Sequence, residues 1–367
     1  MIVGARPQFI KSAPIIHELL KHPSVELKLI HTGQHYDPEM SDVFFGELAL
    51  PSPTLNLAVG SGSHASQTAR MISKIEACVV REAPSVVLVP GDTNSTLAGA
   101  LAATKAGFPV GHVEAGLRSY DISMPEEINR RLTDHCSALL FAPTRTAVRN
   151  LAREGLKRPA VFLTGDTMAD SLKIALPRAR KQRARTLGRL NLSQQQYVLV
   201  TLHRPGNVDS RARLKEITSF LLRICRHIPV LFTVHPRTRR RLDTYGLISK
   251  LRKKDSIVLS PPVGYLEMLS LLENSRCVVT DSGGVQKEAF MLHVPCVTLR
   301  ANTEWPETLK SGANRLVFGD ARSMFSTVTK VLEDSKLRRT IRALRNPFGD
   351  GRASKRITRI LLSYANS

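Results

Sequence analysis

The chain reads as an α/β protein made of two Rossmann-like, doubly wound parallel-sheet domains. Two observations predict this. Short apolar strands alternate with helical stretches along all 367 residues, the rhythm of parallel sheets with helical crossovers. Polar and glycine residues gather just past the ends of those strands, where open α/β sheets hold their ligands. Length alone calls for more than one core, since single cores stop growing near ~250–300 residues.

Met1-Ile2-Val3 leads straight into Gly4, although a core strand usually runs ~5 residues; the natural start is expected a few residues upstream. Pro7 falls just inside the helix that follows Gly4, where its missing N–H costs nothing. Strands are predicted at residues 25–30, 86–89, 110–113, 139–141 and 161–163, and Thr93-Asn94-Ser95 caps a helix over 96–105. The basic stretch 173–190, poor in β-branched residues, reads as a linker helix, with a boundary near Ser171. Domains over 1–170 and 171–346 follow. In the second, strands are predicted at 197–202, 230–234, 257–259, 277–280 and 296–299. Turn chemistry at Asn346-Pro347-Phe348-Gly349-Asp350-Gly351 precedes a last helix within 347–367, whose Ile357, Ile360 and Leu361 share one face. That helix is expected to return to the first domain.

Composition narrows the function. No apolar run approaches the ~18 residues of a membrane span, and no signal peptide opens the chain, so a cytoplasmic protein without membrane partners is expected. Five cysteines lie scattered without C-x-x-C spacing and read as reduced thiols, mostly in the core. The formal charge of +22 could signal nucleic acid. Its location argues otherwise. The basic runs at 178–185, 237–241, 252–254 and 336–345 carry no interleaved aromatics, which base stacking requires, so no specific nucleic-acid partner is expected.

The strand-end residues carry the chemistry. Gly4-Ala5-Arg6 follows the first strand; Thr32-Gly33-Gln34-His35, Gly91-Asp92-Thr93, Glu114-Ala115-Gly116 and Gly165-Asp166 follow later ones. His203-Arg204, His235-Pro236 and Asp281-Ser282-Gly283-Gly284 repeat the pattern in the second half. Both halves are expected to face one interdomain cleft. Ser282, Gly283 and Gly284 open a helix whose free amides suit a diphosphate, and Glu288, one turn in, can accept hydrogen bonds from ribose hydroxyls. No G-x-G-x-x-G follows either first strand, and no P-loop or G-x-S-x-G elbow occurs. Nicotinamide redox chemistry, phosphoryl transfer from a triphosphate and serine hydrolysis are therefore not indicated. His112 and Glu114 have no second cluster at metal-ligand spacing. No metal and no cofactor are expected.

Long ordered segments now give a resemblance: GARPQFIK from Gly4, HTGQHYDPEM from His31, GDTNSTLAGALAA from Gly91, HVEAGLRS from His112, MPEEINRRLTDH from Met124, TLHR from Thr201, HPRTR from His235, PVGYLEM from Pro262, TDSGGVQKEA from Thr280 and NPFGDG from Asn346. The chain resembles the non-hydrolysing UDP-N-acetylglucosamine 2-epimerases over nearly its whole length. The resemblance implies a GT-B-like architecture, a homodimer, and a role in polysaccharide biosynthesis. It implies inversion at C2 of a UDP-linked amino sugar, by loss of UDP to 2-acetamidoglucal and re-addition after proton delivery to the opposite face. On that basis Asp92, Glu114, Glu126 and His203 align with the family's catalytic residues. Glu114 and Glu126 are assigned to proton transfer and Asp92 to orienting them. Arg6, Lys11, Arg130, His235, Ser282, Gly283, Gly284 and Glu288 are expected to bind UDP and substrate.

Departures from the family pattern matter too. Ala5 and Gln8 stand where the family has Thr and Glu, and Trp305 in Thr303-Glu304-Trp305-Pro306-Glu307 replaces an arginine. These resemble the sister branch that epimerises UDP-2,3-diacetamido-2,3-dideoxy-glucuronate. The Gln-His-x-x-Met segment of an allosteric site appears here as Gln34-His35-Tyr36-Asp37-Pro38-Glu39-Met40, and its extra residues put such regulation in doubt. A hydrolysing 2-epimerase and a GT-B glycosyltransferase remain the competing readings.

Overall fold

The computed structural model describes residues 1–34, 45–157 and 160–366. Two compact units divide the chain: Met1–Ile174 with Pro347–Ser367, and Ala175–Asn346.

The first unit holds β1 (Ile2–Val3), β2 (Ile30–His31), β3 (Leu55–Asn56), β4 (Val87–Pro90), β5 (Val110–Val113), β6 (Leu139–Ala142) and β7 (Val161–Leu163). Every pairing is parallel, in the ladders β1-β2-β3 and β4-β5-β6-β7. Ile2 shares a core with Val87 and Val89, filled by Met71 and Ile75 of the helix His64–Glu82 and by the alanines of Asn94–Lys105. The chain thus winds one way from β1 and the other way from β4. The crevice at the C-terminal ends of these two strands is a topological switch point.

The second unit holds β8 (Val198–Leu202), β9 (Val230–Val234), β10 (Ile257–Ser260), β11 (Cys277–Thr280), β12 (Cys296–Thr298) and β13 (Asn314–Leu316). They form one parallel sheet in the order β10-β9-β8-β11-β12-β13. Counted from the unit's own first strand this is 3-2-1-4-5-6, the Rossmann order, with the switch point between β8 and β11. Every residue of β8 and β11 is buried, because helices cover both faces of such a sheet; their near-continuous apolar sequences follow from that.

Three expectations change. The strand expected over 25–30 is reduced to Ile30–His31, because its neighbour β1 offers only Ile2 and Val3 as rungs. β3 and β13 have no counterpart among the expected strands, since Leu55-Asn56 and Asn314-Arg315-Leu316 contain no apolar run. The basic linker resolves into two helices, Thr167–Lys181 and Arg183–Arg189. Its residues 180–185 are exposed, so that charge is solvated.

The last helix, Ala353–Ala365, packs Ile357 and Leu361 against Ile15, Leu19, Val113 and Phe141. Its first turn is capped from elsewhere in the chain: Asp170 accepts the amides of Ala353 at 3.0 Å and Ser354 at 2.9 Å. A carboxylate there satisfies orphan donors and meets the favourable end of the dipole. All five cysteines are free, and burial pushes the Cys296 thiol up to about 12. Among the described residues no helix is long and apolar enough to cross a membrane.

Gly4 closes the first switch point by close approach. A Cβ there would lie 2.0 Å from Thr32 Oγ1 and 2.2 Å from Ser95 Oγ, two hydroxyls that bond each other at 2.8 Å. Gly4→Ala is therefore expected to cost about 1–3 kcal/mol, the usual range for overpacking, read as a lower urea midpoint at unchanged slope.

Candidate active site

In the first unit the expected carboxylates gather past the ends of β4 and β5. Glu114 is 3% exposed and its carboxylate pairs with the Lys11 ammonium, which projects from the helix Arg6–Leu19. Its backbone sits at φ 70, a left-handed conformation that costs a non-glycine residue on the order of 1–3 kcal/mol and concentrates at functional sites. Asp92 Oδ2 lies 3.2 Å from Nε of the buried Arg130. Its side chain keeps 27% exposure, yet the protein packed around it desolvates the charged form and raises its pKa. The negative neighbours Glu126 and Glu114 add to the rise, while Arg130 and Lys11 oppose it. Glu126 lies half-buried in the first turn of the helix Pro125–Cys136. Asp92, Glu114, Glu126, Lys11 and Arg130 thus act on one another. Arg6 opens its helix half-buried, five residues before Lys11 in the chain.

Buried amides and carboxylates hold this cluster. Gln8 Oε1 accepts the amides of Gly4 and Ala5 at 2.8 and 3.0 Å, and its Nε2 donates to Pro90 O at 2.9 Å and Thr96 Oγ1 at 3.1 Å. Both ends of the side-chain amide are used, which a glutamate here could not reproduce. Asn129 donates to Asp92 O at 2.9 Å and to Asn94 Oδ1 at 3.2 Å. Glu127 is structural, accepting from Ser119 N, Ser119 Oγ, Tyr120 N, Arg130 and Arg131. His112 is a buried strand residue bonded to Gly91 O and Asp134.

In the second unit His203 follows β8 and Ser282 follows β11, so both flank the switch point. Asp281, fully buried, joins them. It accepts His203 N at 3.1 Å, Arg204 N at 3.0 Å and Asn207 Nδ2 at 3.0 Å, and its Oδ1 lies 3.3 Å from His203 Nδ1. That contact orients the imidazole through one of its two nitrogens. His235 caps the helix Pro236–Thr244 with its ring centroid 5.6 Å from that of His203. Ser282 is the N-cap residue of Gly283–Met291, so the first-turn amides lie beyond the reach of intrahelical acceptors. Gly283 makes room for a neighbour: a Cβ would lie 2.3 Å from Glu304 Oε1. Glu288 is 4% exposed on this helix. Trp305, also buried, lies under the Lys287 ammonium, 4.1 Å from the ring centroid.

Sequence reasoning placed the charged residues at the strand ends and missed Gln8, Asn129, Asp134 and Asp281 as their supports. The Asp that follows a buried β11 was the one available signal. Of the segment 34–40, residues 35–40 lie outside the described residues. Gln34 Oε1 accepts from Ser95 N and Oγ at 3.1 and 2.6 Å.

With this geometry in place, comparison with known proteins is informative. The family model for UDP-N-acetylglucosamine 2-epimerase matches residues 17–362. The chain is similar to a UDP-N-acetylglucosamine 2-epimerase homolog of Methanococcus maripaludis, 49% identical over 360 residues, covering 98% of each chain. It is also similar to the UDP-2,3-diacetamido-2,3-dideoxy-D-glucuronate 2-epimerase of Pseudomonas aeruginosa, 45% identical over 98% of each. The crystal structure of Methanocaldococcus jannaschii UDP-GlcNAc 2-epimerase in complex with UDP-GlcNAc and UDP superposes with a TM-score of 0.92, at 46% identity and 98% coverage of each chain.

The desolvated Asp92 sets a pH-dependent expectation. Its pKa is higher folded than unfolded, so its contribution favours folding at low pH and is lost as pH rises through its folded pKa. Asp92→Asn is expected to raise Tm at pH 7, with the gain shrinking as pH falls through the native aspartate's raised pKa and vanishing only below the ordinary value of the unfolded aspartate. Thermal scans of both proteins across pH check this.

Proposed function

Because the chain belongs to the UDP-N-acetylglucosamine 2-epimerase family, we propose that it interconverts UDP-N-acetylglucosamine and its manno epimer by eliminating UDP to 2-acetamidoglucal and adding it back. The supporting observation is the unlike state of neighbouring carboxyls: Asp92 is pushed toward its protonated form while Glu114 faces an ammonium. Inversion needs a base on one face of C2 and an acid on the other, and a carboxyl that holds a proton beside two glutamates can set which of the two is protonated. Glu114 with Glu126 moves the proton at C2, and Asp92 orients and tunes them. The C2 hydrogen is not acidified by a carbonyl, so its removal is coupled to departure of the anomeric diphosphate. His203, held by Asp281, and the amides of Ser282 to Gly284 meet that leaving charge, with Arg6 adding positive charge and His235, whose Nδ1 accepts the Arg237 amide, offering its other nitrogen as a donor. Glu288 takes the ribose hydroxyls.

A second reading is favoured by a specific residue. Trp305 stands where the family has arginine, and a relative at 45% identity acts on the diacetamido glucuronate. Loss of a guanidinium alters how a charged sugar is met. On either reading the enzyme works in the cytoplasm as a homodimer, without nicotinamide or metal; sedimentation at micromolar concentration tests the oligomeric state.

Both nucleotide sugars offered side by side in deuterated water, followed by NMR, decide the substrate. Deuterium at C2 with no accumulating UDP is expected; free UDP with released sugar points to hydrolysis, and no exchange at all rejects the reaction. Glu114→Gln is expected to lose about 100- to 1,000-fold in kcat, the scale of a lost transition-state contact, while still binding UDP. Glu288→Ala should weaken UDP binding more than turnover. Equal losses of both properties in both variants would contradict this division of labour.

A further inference from the structure

His112, fully buried in β5, has no part in the chemistry above, yet its surroundings dictate its charge. Its Nε2 lies 2.7 Å from the carbonyl oxygen of Gly91, and its Nδ1 lies 2.7 Å from Asp134 Oδ1. A carbonyl can only accept, so Nε2 carries a proton. On the other side, Asp134 Oδ2 accepts the Gly116 amide at 3.1 Å and lies 2.8 Å from Arg118 Nη1. The Arg118 guanidinium against Oδ2 favours the ionised carboxylate. An ionised Asp134 is an acceptor at both oxygens, so Nδ1 also carries a proton. Arg118 is itself balanced by Glu154, at 2.8 and 2.6 Å.

The grip of this pair on the chain is specific. Through His112, Asp134 holds the residue two positions before Glu114; through the Gly116 amide it holds the residue two positions after. Between them Glu114 sits at φ 70 and Gly116 at φ 81, a turn that an extended chain does not adopt unaided. His112 reaches across with its other nitrogen to Gly91, at φ 72, the residue before Asp92. The two loops are adjacent, since a Cβ on Gly91 would lie 3.8 Å from Glu114 Oε2.

We propose that His112 is a buried imidazolium and that its ion pair with Asp134 is a positioning element, fixing the left-handed Glu114 turn and its spacing from Asp92. The consequence for catalysis rests on the C2 chemistry proposed above; the protonation state of the ring does not. Neutron diffraction from crystals of the perdeuterated wild-type protein at neutral pH reads that state directly. Two ring deuterons on His112 are expected, and one deuteron overturns the proposal.

The positioning role is read from two variants. Asp134→Asn keeps the volume and can donate to a neutral Nδ1 while still accepting from Gly116, so it removes the ion pair and spares the shape. Asp134→Ala removes both. Asp134→Asn is expected to lower kcat for C2 exchange about 10- to 100-fold, by analogy with the loss that follows removal of the carboxylate behind a metal-bound histidine, with KM and UDP binding unchanged. Near wild-type kcat in Asp134→Asn, with loss confined to Asp134→Ala, would assign the residue to packing and overturn the positioning role. Absence of C2 exchange in the wild type would instead sink the proposed reaction and leave the deuteron count to decide the charge.

Discussion

A switch point opens a crevice by turning the chain away on both sides, and in doing so it strips backbone groups at the strand ends of their sheet partners. Those groups must still be paired. In the first unit Gln8 pairs them, taking two amides after β1 and giving to a carbonyl at the end of β4. In the second, Asp281 takes two amides after β8 from its place after β11, and Asn207 closes the ring by donating to both Asp281 and Leu299 O. In each crevice one buried polar side chain thus pairs groups from two strand ends.

The choice of residue differs for a reason. Around Gln8 the strand ends offer both donors and acceptors, which a neutral amide alone can serve. Around Asp281 they offer donors, so a carboxylate suffices and its charge is available to the His203 ring. A carboxylate at position 8 would lose its bonds to Pro90 O and Thr96 Oγ1, whereas an amide at 281 would deprive His203 of this negative neighbour.

This division also explains what could be read from the sequence. Strand-end clusters such as Gly91-Asp92 and Glu114-Ala115-Gly116 were legible because parallel sheets place ligands at those ends whatever the details. Central strands such as Val230–Val234 were legible as apolar runs. The two-rung β2 was not, because its length is set by a partner far away in sequence. Asp134 and Asp281 escaped as supports for the same reason, since their partners lie many residues distant, and so do the Pro90 and Thr96 partners of Gln8; only the place of Asp281 after a buried strand gave a local hint. The left-handed backbone of Glu114 was invisible as well, since a non-glycine in that region depends on the surroundings that hold it.

Charge balance in the first unit connects support to chemistry. Glu127 takes Arg131, one arm of Arg130 and the amides of Ser119 and Tyr120, while Lys11 and the Nε side of Arg130 face Asp92, Glu114 and Glu126. Three carboxyls thus crowd this corner of the first unit. Burial and the negative neighbours Glu126 and Glu114 raise the Asp92 pKa against the pull of Arg130 and Lys11, so Asp92 is pushed toward its protonated form. On the proposed reaction, a carboxyl that holds a proton more readily than its neighbours sets an acid beside bases, and passing that proton among them changes no net charge. That suits a reaction whose proton leaves one face of a carbon and returns to the other, because neither half requires the protein to bury a new charge. The cost is a native state less stable at neutral pH than one with an uncharged residue in place of Asp92, which is the usual condition of a site arranged for reaction rather than for packing.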